Sequence, residues 1–129
     1  MTEHRILVVE DDAGTSRLVG EILRSDGVRI EYAADGVDAL ETLRDSPPDL
    51  VVLDLALPRI DGWEILNTLQ QAGREIPIII ITAHGQGSAA ERAFAAGASR
   101  FFEKPFIPGE LKEAAAELLE KSLANGEPE

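Results

Sequence analysis

The chain of 129 residues contains no cysteine. Disulfide bonds, thiolate nucleophiles and thiolate metal ligands are therefore excluded, which suits a reducing compartment. Basic residues are also scarce, because 12 lysines and arginines stand against 24 acidic residues and give a formal net charge of −12. A charge of that sign repels nucleic acid backbones and anionic lipid surfaces. We therefore expect no direct binding to nucleic acid or to membranes.

Long apolar runs and a secretory signal are also missing. The apolar stretches are only a few residues long, whereas a membrane-spanning helix needs about 20 apolar residues. The first residues show no basic region followed by a cleavable apolar stretch. An apolar fraction of 44% is ordinary for a globular domain. These features predict one cytoplasmic domain without a membrane-inserted segment.

Strand-like and helix-like patterns alternate along the chain. Continuous apolar runs, typical of strands covered on both faces, predict strands at 5–10, 29–33, 50–54, 77–81 and 100–103. Amphipathic patterns between and after them predict helices that begin near Gly14, Asp35, Gly62, Ser88 and Pro108. This alternation predicts an α/β fold with a five-stranded parallel sheet and five helices on its two faces.

Two helices carry more detailed predictions. The first has an apolar stripe of Leu18, Val19, Ile22 and Leu23, which we expect to face the sheet. The fourth begins with Ser88 and has Glu91 three residues later, which is a capping-box pattern.

Acidic side chains end two of the most apolar predicted strands. Glu10 and Asp11 follow the apolar run 6–9, and Asp54 follows the apolar run 50–53. Ligands of open α/β sheets lie beyond the carboxyl ends of the strands, so these three carboxylates are expected to share one edge. Crowded carboxylates raise one another's pKa, and Mg²⁺, which prefers oxygen ligands, would relieve that repulsion. A single acid at such a position is usually a solvated strand end, but three acids at the ends of the most apolar strands favour a shared site over that interpretation.

Thr82 and Lys104 are expected at the same edge. Thr82 follows the run 78–81, and Lys104 follows the last predicted strand. A carboxylate can accept a phosphoryl group, whose spread negative charge requires a cation and hydrogen-bond donors nearby. A hydroxyl and an ammonium would supply these. Singly, Thr82 would be a strand-end residue and Lys104 a surface lysine, so only their shared position points to chemistry.

Four segments together resemble the receiver domain of two-component response regulators. They are residues 6–12, residues 51–62 with Asp54, Leu57-Pro58 and Asp61-Gly62, residues 81–83, and Lys104-Pro105-Phe106. Their order and spacing agree with that family from Arg5 to about Ala124. The resemblance implies a flavodoxin-like, doubly wound sheet with strand order 2-1-3-4-5. It also implies a receiver domain at residues 1–124, followed by a frayed tail at 125–129.

The resemblance implies a role for each candidate site residue. Asp54 would be the phosphoacceptor, with Thr82 and Lys104 in contact with the phosphoryl group. The implied Mg²⁺ ligands are Glu10, Asp11, Asp54 and the backbone carbonyl of Ala56. Asp12 is less suited to be a ligand. Phe101 matches the switch position, where many relatives carry tyrosine, so a switch here would use packing and not a phenolic hydrogen bond.

The implied function is that of a phosphoacceptor in a phosphorelay. A histidine kinase or a histidine phosphotransfer protein would phosphorylate Asp54 in the presence of Mg²⁺. A face made by the fourth helix, the fifth strand and the fifth helix would then bind a downstream effector. The chain would be no enzyme beyond catalysing its own phosphorylation and dephosphorylation. Ala56 and His84 stand where the family tunes the lifetime of the phosphoryl group, and no lifetime follows from them. Whether the chain stands alone or belongs to a larger regulator stays open.

Three other functions are weighed against the same residues. An FMN-binding module would need a small, hydroxyl-rich phosphate loop where this chain has Glu10, Asp11 and Asp12. A phosphatase with an Asp-x-Asp-x-Thr motif would need aspartate and threonine where Glu10 and Gly14 stand. A pseudo-receiver that serves as a protein-interaction module without phosphorylation is the remaining alternative, and the complete set of site residues disfavours it.

Overall fold

Strands and helices alternate throughout the part of the chain that the computed structural model describes. That part comprises residues 3–57, 60–72, 75–83 and 87–126, with side chains described up to residue 120. Its elements are β1 (His4–Val9), α1 (Ala13–Leu23), β2 (Val28–Ala33), α2 (Gly36–Asp45), β3 (Leu50–Asp54), α3 (Gly62–Gln71), β4 (Ile78–Thr82), α4 (Ala89–Ala95), β5 (Arg100–Glu103) and α5 (Pro108–Gly126). Among the described residues, every helix is too short or too polar to cross a bilayer.

All five strands pair in parallel, in the order β2-β1-β3-β4-β5. The predicted α/β fold, with a doubly wound sheet and strand order 2-1-3-4-5, is therefore confirmed. The order reverses between β1 and β3, so the loops that follow these two strands open a crevice at the carboxyl edge. Every residue of β3 and β4 is buried, because helices cover both faces of the sheet.

Two apolar clusters fill the space between the sheet and its helices. Alternate residues of a strand face opposite sides, so Leu7 and Val9 join one cluster while Ile6 and Val8 join the other. The first cluster is completed by residues of α2, α3 and α4, among them Ala39, Leu43, Ile65, Leu66, Leu69 and Ala93. The second is completed by residues of α1 and α5, among them Val19, Leu23, Leu111, Ala115, Leu118 and Leu119. α3 and α5 thus turn these apolar residues toward the sheet.

Two local predictions are wrong. Leu18 was expected to face the sheet, but it is 51% exposed. α1 turns Ser16, Val19, Gly20 and Leu23 inward, and this face leaves Leu18 at its outer margin.

Ser88 precedes α4 without a side-chain capping bond, so the capping-box prediction also fails. Its backbone (φ −94°, ψ 19°) lies outside the extended region in which an N-cap side chain reaches back over the first turn. The sequence also predicts that the third helix ends at Gly73, but Gly73 lies outside the described residues, as do residues 127–129 of the predicted frayed tail.

Candidate functional site

The sheet brings the acids that follow β1 and end β3 to one edge. Glu10 comes directly after β1 and Asp54 is the last residue of β3, and the two strands pair in register up to Val9 and Leu53. Both acids are almost fully buried, with 3% and 4% of their surface exposed. Burying two carboxylates side by side is costly unless both are paired and hydrogen-bonded.

Lys104 forms ion pairs with both buried carboxylates. Its Nζ donates hydrogen bonds to Oε1 of Glu10 at 2.9 Å and to Oδ2 of Asp54 at 3.0 Å. The remaining two oxygens accept backbone N–H groups, Glu10 Oε2 from Asp12 at 3.2 Å and Asp54 Oδ1 from Ala56 at 3.0 Å. All four carboxylate oxygens are therefore hydrogen-bonded, which offsets the cost of burying the two charges.

Asp11 adds a third carboxylate to this pair. Glu10, Asp11 and Asp54 each offer an oxygen, and the three oxygens lie within 4.8 Å of one another. Asp11 is exposed while the other two acids are buried, so the group opens to solvent on one side. Several carboxylate oxygens with room for water form the kind of donor set that suits Mg²⁺. The residues present thus fit a divalent cation, and the role of the Ala56 carbonyl as a further ligand stays a prediction.

The electrostatics of the site are those of a buried, charge-paired cluster. Burial raises the pKa of Glu10, and the charge of Asp54 raises it further, while hydrogen bonds from Lys104 and from the Asp12 amide oppose the shift. Burial also acts to lower the pKa of Lys104, but the hydrogen bonds to Glu10 and Asp54 outweigh it and the pKa is raised. Lys104 therefore keeps a fixed positive charge beside Asp54, where an added anionic group would need one.

Thr82 and Lys104 reach this edge through the pairing of β4 with β5. Thr82 is fully buried at the end of β4 and pairs in register with Glu103. The amide N–H of Lys104 donates to the carbonyl of Thr82 at 2.8 Å, which fixes the start of the lysine side chain. The structure thus gathers the predicted residues of four strand ends at one edge of the sheet.

Phe101 lies in β5, which strand β4 separates from Asp54 of β3. It is partly buried in β5 and packs against the apolar cluster that contains Ala93 of α4 and Ala98. His84, the other family position with a predicted influence, lies outside the described residues.

Asp12 has a structural role that the sequence reading did not assign. Its Oδ2 accepts hydrogen bonds from the amide of Thr15 at 2.8 Å and from the Thr15 hydroxyl at 2.7 Å, so it caps α1. The hydroxyl and the amide of Thr15 lower the pKa of Asp12. The sequence signal for this role was an aspartate just before a helical pattern. These contacts occupy Asp12, and it is not one of the three clustered acids. That Asp12 is less suited to be a ligand stays a prediction.

Comparison with known proteins decides the family. The sequence profile of the response regulator receiver domain matches residues 6–116. The chain belongs to this family. The receiver domain is 36% identical over 125 residues to response regulator MprA of Mycobacterium sp. strain KMS, an alignment that covers 97% of this chain and 54% of that protein. It therefore spans about half the length of that relative.

Solved receiver domains have the same fold. The receiver domain of NtrX from Brucella abortus is 37% identical, with a TM-score of 0.81 over 89% of this chain and 98% of that one. A CheY-like response regulator receiver domain protein from Methanospirillum hungatei JF-1 is 26% identical, with a TM-score of 0.88 over 97% and 100% of the two chains. The suspected family is thus confirmed, while the roles of single residues in this receiver domain stay predictions.

Proposed function

We propose that this receiver domain is the phosphoacceptor of a two-component phosphorelay and that Asp54 carries the phosphoryl group. The observation that supports this most is the contact of Asp54 with Lys104 at 3.0 Å, in a cluster that also contains Glu10 and Asp11. Asp54 is almost fully buried and is paired with Lys104, a cation that can stay with an incoming anion. The donor would be a histidine kinase or a histidine phosphotransfer protein.

The proposed transfer uses residues that already lie together. An oxygen of Asp54 forms a bond to phosphorus while the bond between phosphorus and the donor's imidazole nitrogen breaks, and that nitrogen keeps the electron pair. Lys104 and the Thr82 hydroxyl would hold the transferred oxygens through hydrogen bonds. Glu10, Asp11, Asp54 and the carbonyl of Ala56 would hold Mg²⁺, which supplies positive charge against the phosphoryl oxygens. The chain would catalyse nothing beyond the gain and loss of its own phosphoryl group.

Phosphorylation would then change the surface made by α4, β5 and α5. The added group carries about −1.5 to −2 charges if it behaves as a phosphomonoester. Thr82 would move toward it, Phe101 would fill the space left, and the altered surface would bind a downstream effector protein. A switch from 1:99 to 99:1 requires about 5.5 kcal/mol of differential stabilisation, which several charge-assisted contacts could supply together. The boundaries 1–124 and 125–129 and the cytoplasmic location stay predictions, and α5 itself continues to Gly126.

A small phosphodonor such as acetyl phosphate tests the assignment. With Mg²⁺ present, the wild-type chain should gain the mass of one phosphoryl group, and a metal chelator should abolish the gain. Asp54→Asn should gain none, because the amide is a poor nucleophile. Asp38→Asn, which removes an exposed acid from α2, should behave as wild type.

Two outcomes would contradict the assignment. Full uptake by Asp54→Asn would place the phosphoryl group on another residue. A wild-type chain that takes up no phosphoryl group from any donor would instead support the pseudo-receiver, a protein-interaction module without phosphorylation.

A further inference from the structure

Helix α4 buries small side chains. It has seven residues, and the side chains that it buries are those of Ala89 and Ala93. Alanine removes little apolar surface from water, and isolated helices shorter than about 12 residues are marginal. Ser88 adds no side-chain capping bond at its start. The position of α4 therefore depends on the few larger side chains that it offers to its neighbours.

Arg92 of α4 makes such a contact with α3. Its guanidinium carbon lies 4.4 Å from the ring centroid of Trp63, in the first turn of α3. Trp63 is partly buried and packs against the same apolar cluster as Phe101, while Arg92 is otherwise exposed. A guanidinium stacks well on an indole, the best of the ring acceptors for a cation. The contact joins α4 to a helix that begins beside the loop after Asp54.

We propose that the Arg92–Trp63 contact is a latch that holds α4 against α3 in the unphosphorylated receiver domain and opposes its switch. The latch rests on the proposed function, in which the surface containing α4 changes when Asp54 is phosphorylated. β4 ends at Thr82 and α4 begins at Ala89, so a displacement of Thr82 would also displace the start of α4. A displacement of α4 relative to α3 separates the guanidinium from the ring, and the contact then stabilises the unphosphorylated conformation alone.

The size of the effect follows from the strength of the contact. An exposed cation–π contact that exists in one of two states biases their populations about two- to fivefold, the equivalent of about 0.5–1 kcal/mol. A ligand of the other state binds more weakly by the same factor, because only the competent fraction of molecules binds it. Loss of the latch therefore tightens the binding of a phosphoryl mimic about two- to fivefold without altering any residue at the phosphorylation site.

Trp63 itself is the reporter for this test. It is the single tryptophan of the chain, so its emission carries no background from other indoles. The full chain is titrated with beryllofluoride, a mimic of the acyl phosphate, in the presence of Mg²⁺. The emission of wild-type Trp63 should change on binding. Arg92→Ala has no guanidinium to separate from the ring, so its affinity is measured by isothermal titration calorimetry alongside that of wild type and should be about two- to fivefold tighter. Arg92→Lys, which keeps the charge but loses the planar stack, should fall between them.

Matched variants distinguish the latch from a general effect of removing a positive charge. Arg44→Ala removes the same charge from an exposed arginine of α2 that pairs with Asp45, and it should bind as wild type. Equal affinity of wild type and Arg92→Ala, or equal tightening by Arg44→Ala, would overturn the latch. Asp54→Asn tests the function on which the latch rests. If wild type binds no beryllofluoride, or Asp54→Asn binds it equally well, the proposed function fails, whereas normal wild-type binding unaffected by Arg92→Ala contradicts the latch alone.

Discussion

At the scale of single residues, Lys104 allows two carboxylates to be buried together. Each oxygen of Glu10 and Asp54 accepts a hydrogen bond, and Lys104 supplies two of the four. The two acids nevertheless differ in exposure from the third, because Asp11 remains open to solvent. The two buried acids are thus hydrogen-bonded to the protein, while the carboxylate of Asp11 stays accessible to a cation from solvent.

Glu10→Gln tests how much the burial of the ionised Glu10 carboxylate reduces the free energy of unfolding. The pKa of Glu10 is raised in the folded chain, so the folded state binds a proton more readily than the unfolded state, and its stability contribution is lost as pH rises. The window begins near the unfolded pKa of about 4.3 and ends at the raised folded value. Glutamine keeps an acceptor for Lys104 and does not titrate. The free energy of unfolding of the Glu10→Gln variant should therefore rise relative to that of wild type as pH rises through this window.

The measurement is urea unfolding in chelator-containing buffer at a series of pH values. Above the window, each unit by which the folded pKa of Glu10 exceeds the unfolded pKa adds about 1.4 kcal/mol to the difference in free energy of unfolding between Glu10→Gln and wild type. Glu41→Gln, at an exposed position of α2, should show no such trend. A difference that stays constant with pH, or that grows in favour of wild type, would show that Glu10 is not penalised by burial.

At the scale of elements, the joint between β3 and α3 holds Asp54 in place. A Cβ on Gly62 would lie 2.5 Å from the Cα of Leu55 and 2.6 Å from the carbonyl oxygen of Asp54. The amide of Gly62 donates to the carbonyl of Leu55 at 2.9 Å, and Asp61 caps α3 by accepting from the amide of Glu64 at 3.0 Å. This close approach brings the start of α3 against the end of β3, where Asp54 lies.

Gly62→Ala should therefore disturb both stability and the site. The added methyl meets backbone atoms, which cannot move aside as a flexible side chain could, so we expect a loss of about 1–3 kcal/mol in the free energy of unfolding. Uptake from a small phosphodonor should fall as well. The control is Gly109→Ala in α5, where a Cβ would meet no atom within 4 Å. Similar unfolding midpoints in urea for the two variants would argue against a tight joint.

At the scale of the whole molecule, the parallel sheet unites residues that are far apart in the chain. Both ends of β3 are predicted correctly. Its apolar run is too short for a buried helix, so a strand covered on both faces is the interpretation that fits. The convergence of strand ends is also predictable, because parallel strands in an open sheet end at one edge. Strand order is not encoded in any one segment, and here it came from the resemblance to a family.

Other details could not be predicted from the sequence, because they depend on how whole elements pack together. α1 carries an apolar stripe wide enough to be rotated either way, and only packing against Leu111 and Ala115 of α5 decides that Val19 faces inward and Leu18 does not. The pairing of Lys104 with both carboxylates joins residues 94 and 50 positions apart. No periodicity in the sequence predicts such contacts, since they depend on how whole elements pack.

The net charge of −12 shapes how the whole molecule responds to cations. Any salt screens the mutual repulsion of the acidic residues and so stabilises the fold, without saturating at low concentration. Binding of Mg²⁺ at the proposed site would add a second stabilisation, which saturates once the site is filled. At free Mg²⁺ equal to 100 times its Kd, binding to one site raises the free energy of unfolding by about 2.7 kcal/mol. Urea unfolding at rising MgCl₂ should therefore show a gain beyond that of NaCl at equal ionic strength.

Asp11→Asn separates the two parts of this gain. Asp11 is the exposed acid of the cluster, so its substitution removes a ligand without leaving a buried partner unpaired. The variant should lose the saturable part and keep the screening part, because one charge fewer barely alters a net charge of −12. Asp26→Asn, an exposed acid in the loop between α1 and β2, should keep both parts. If MgCl₂ and NaCl stabilise the wild-type chain equally at every ionic strength, the three acids do not form a magnesium site.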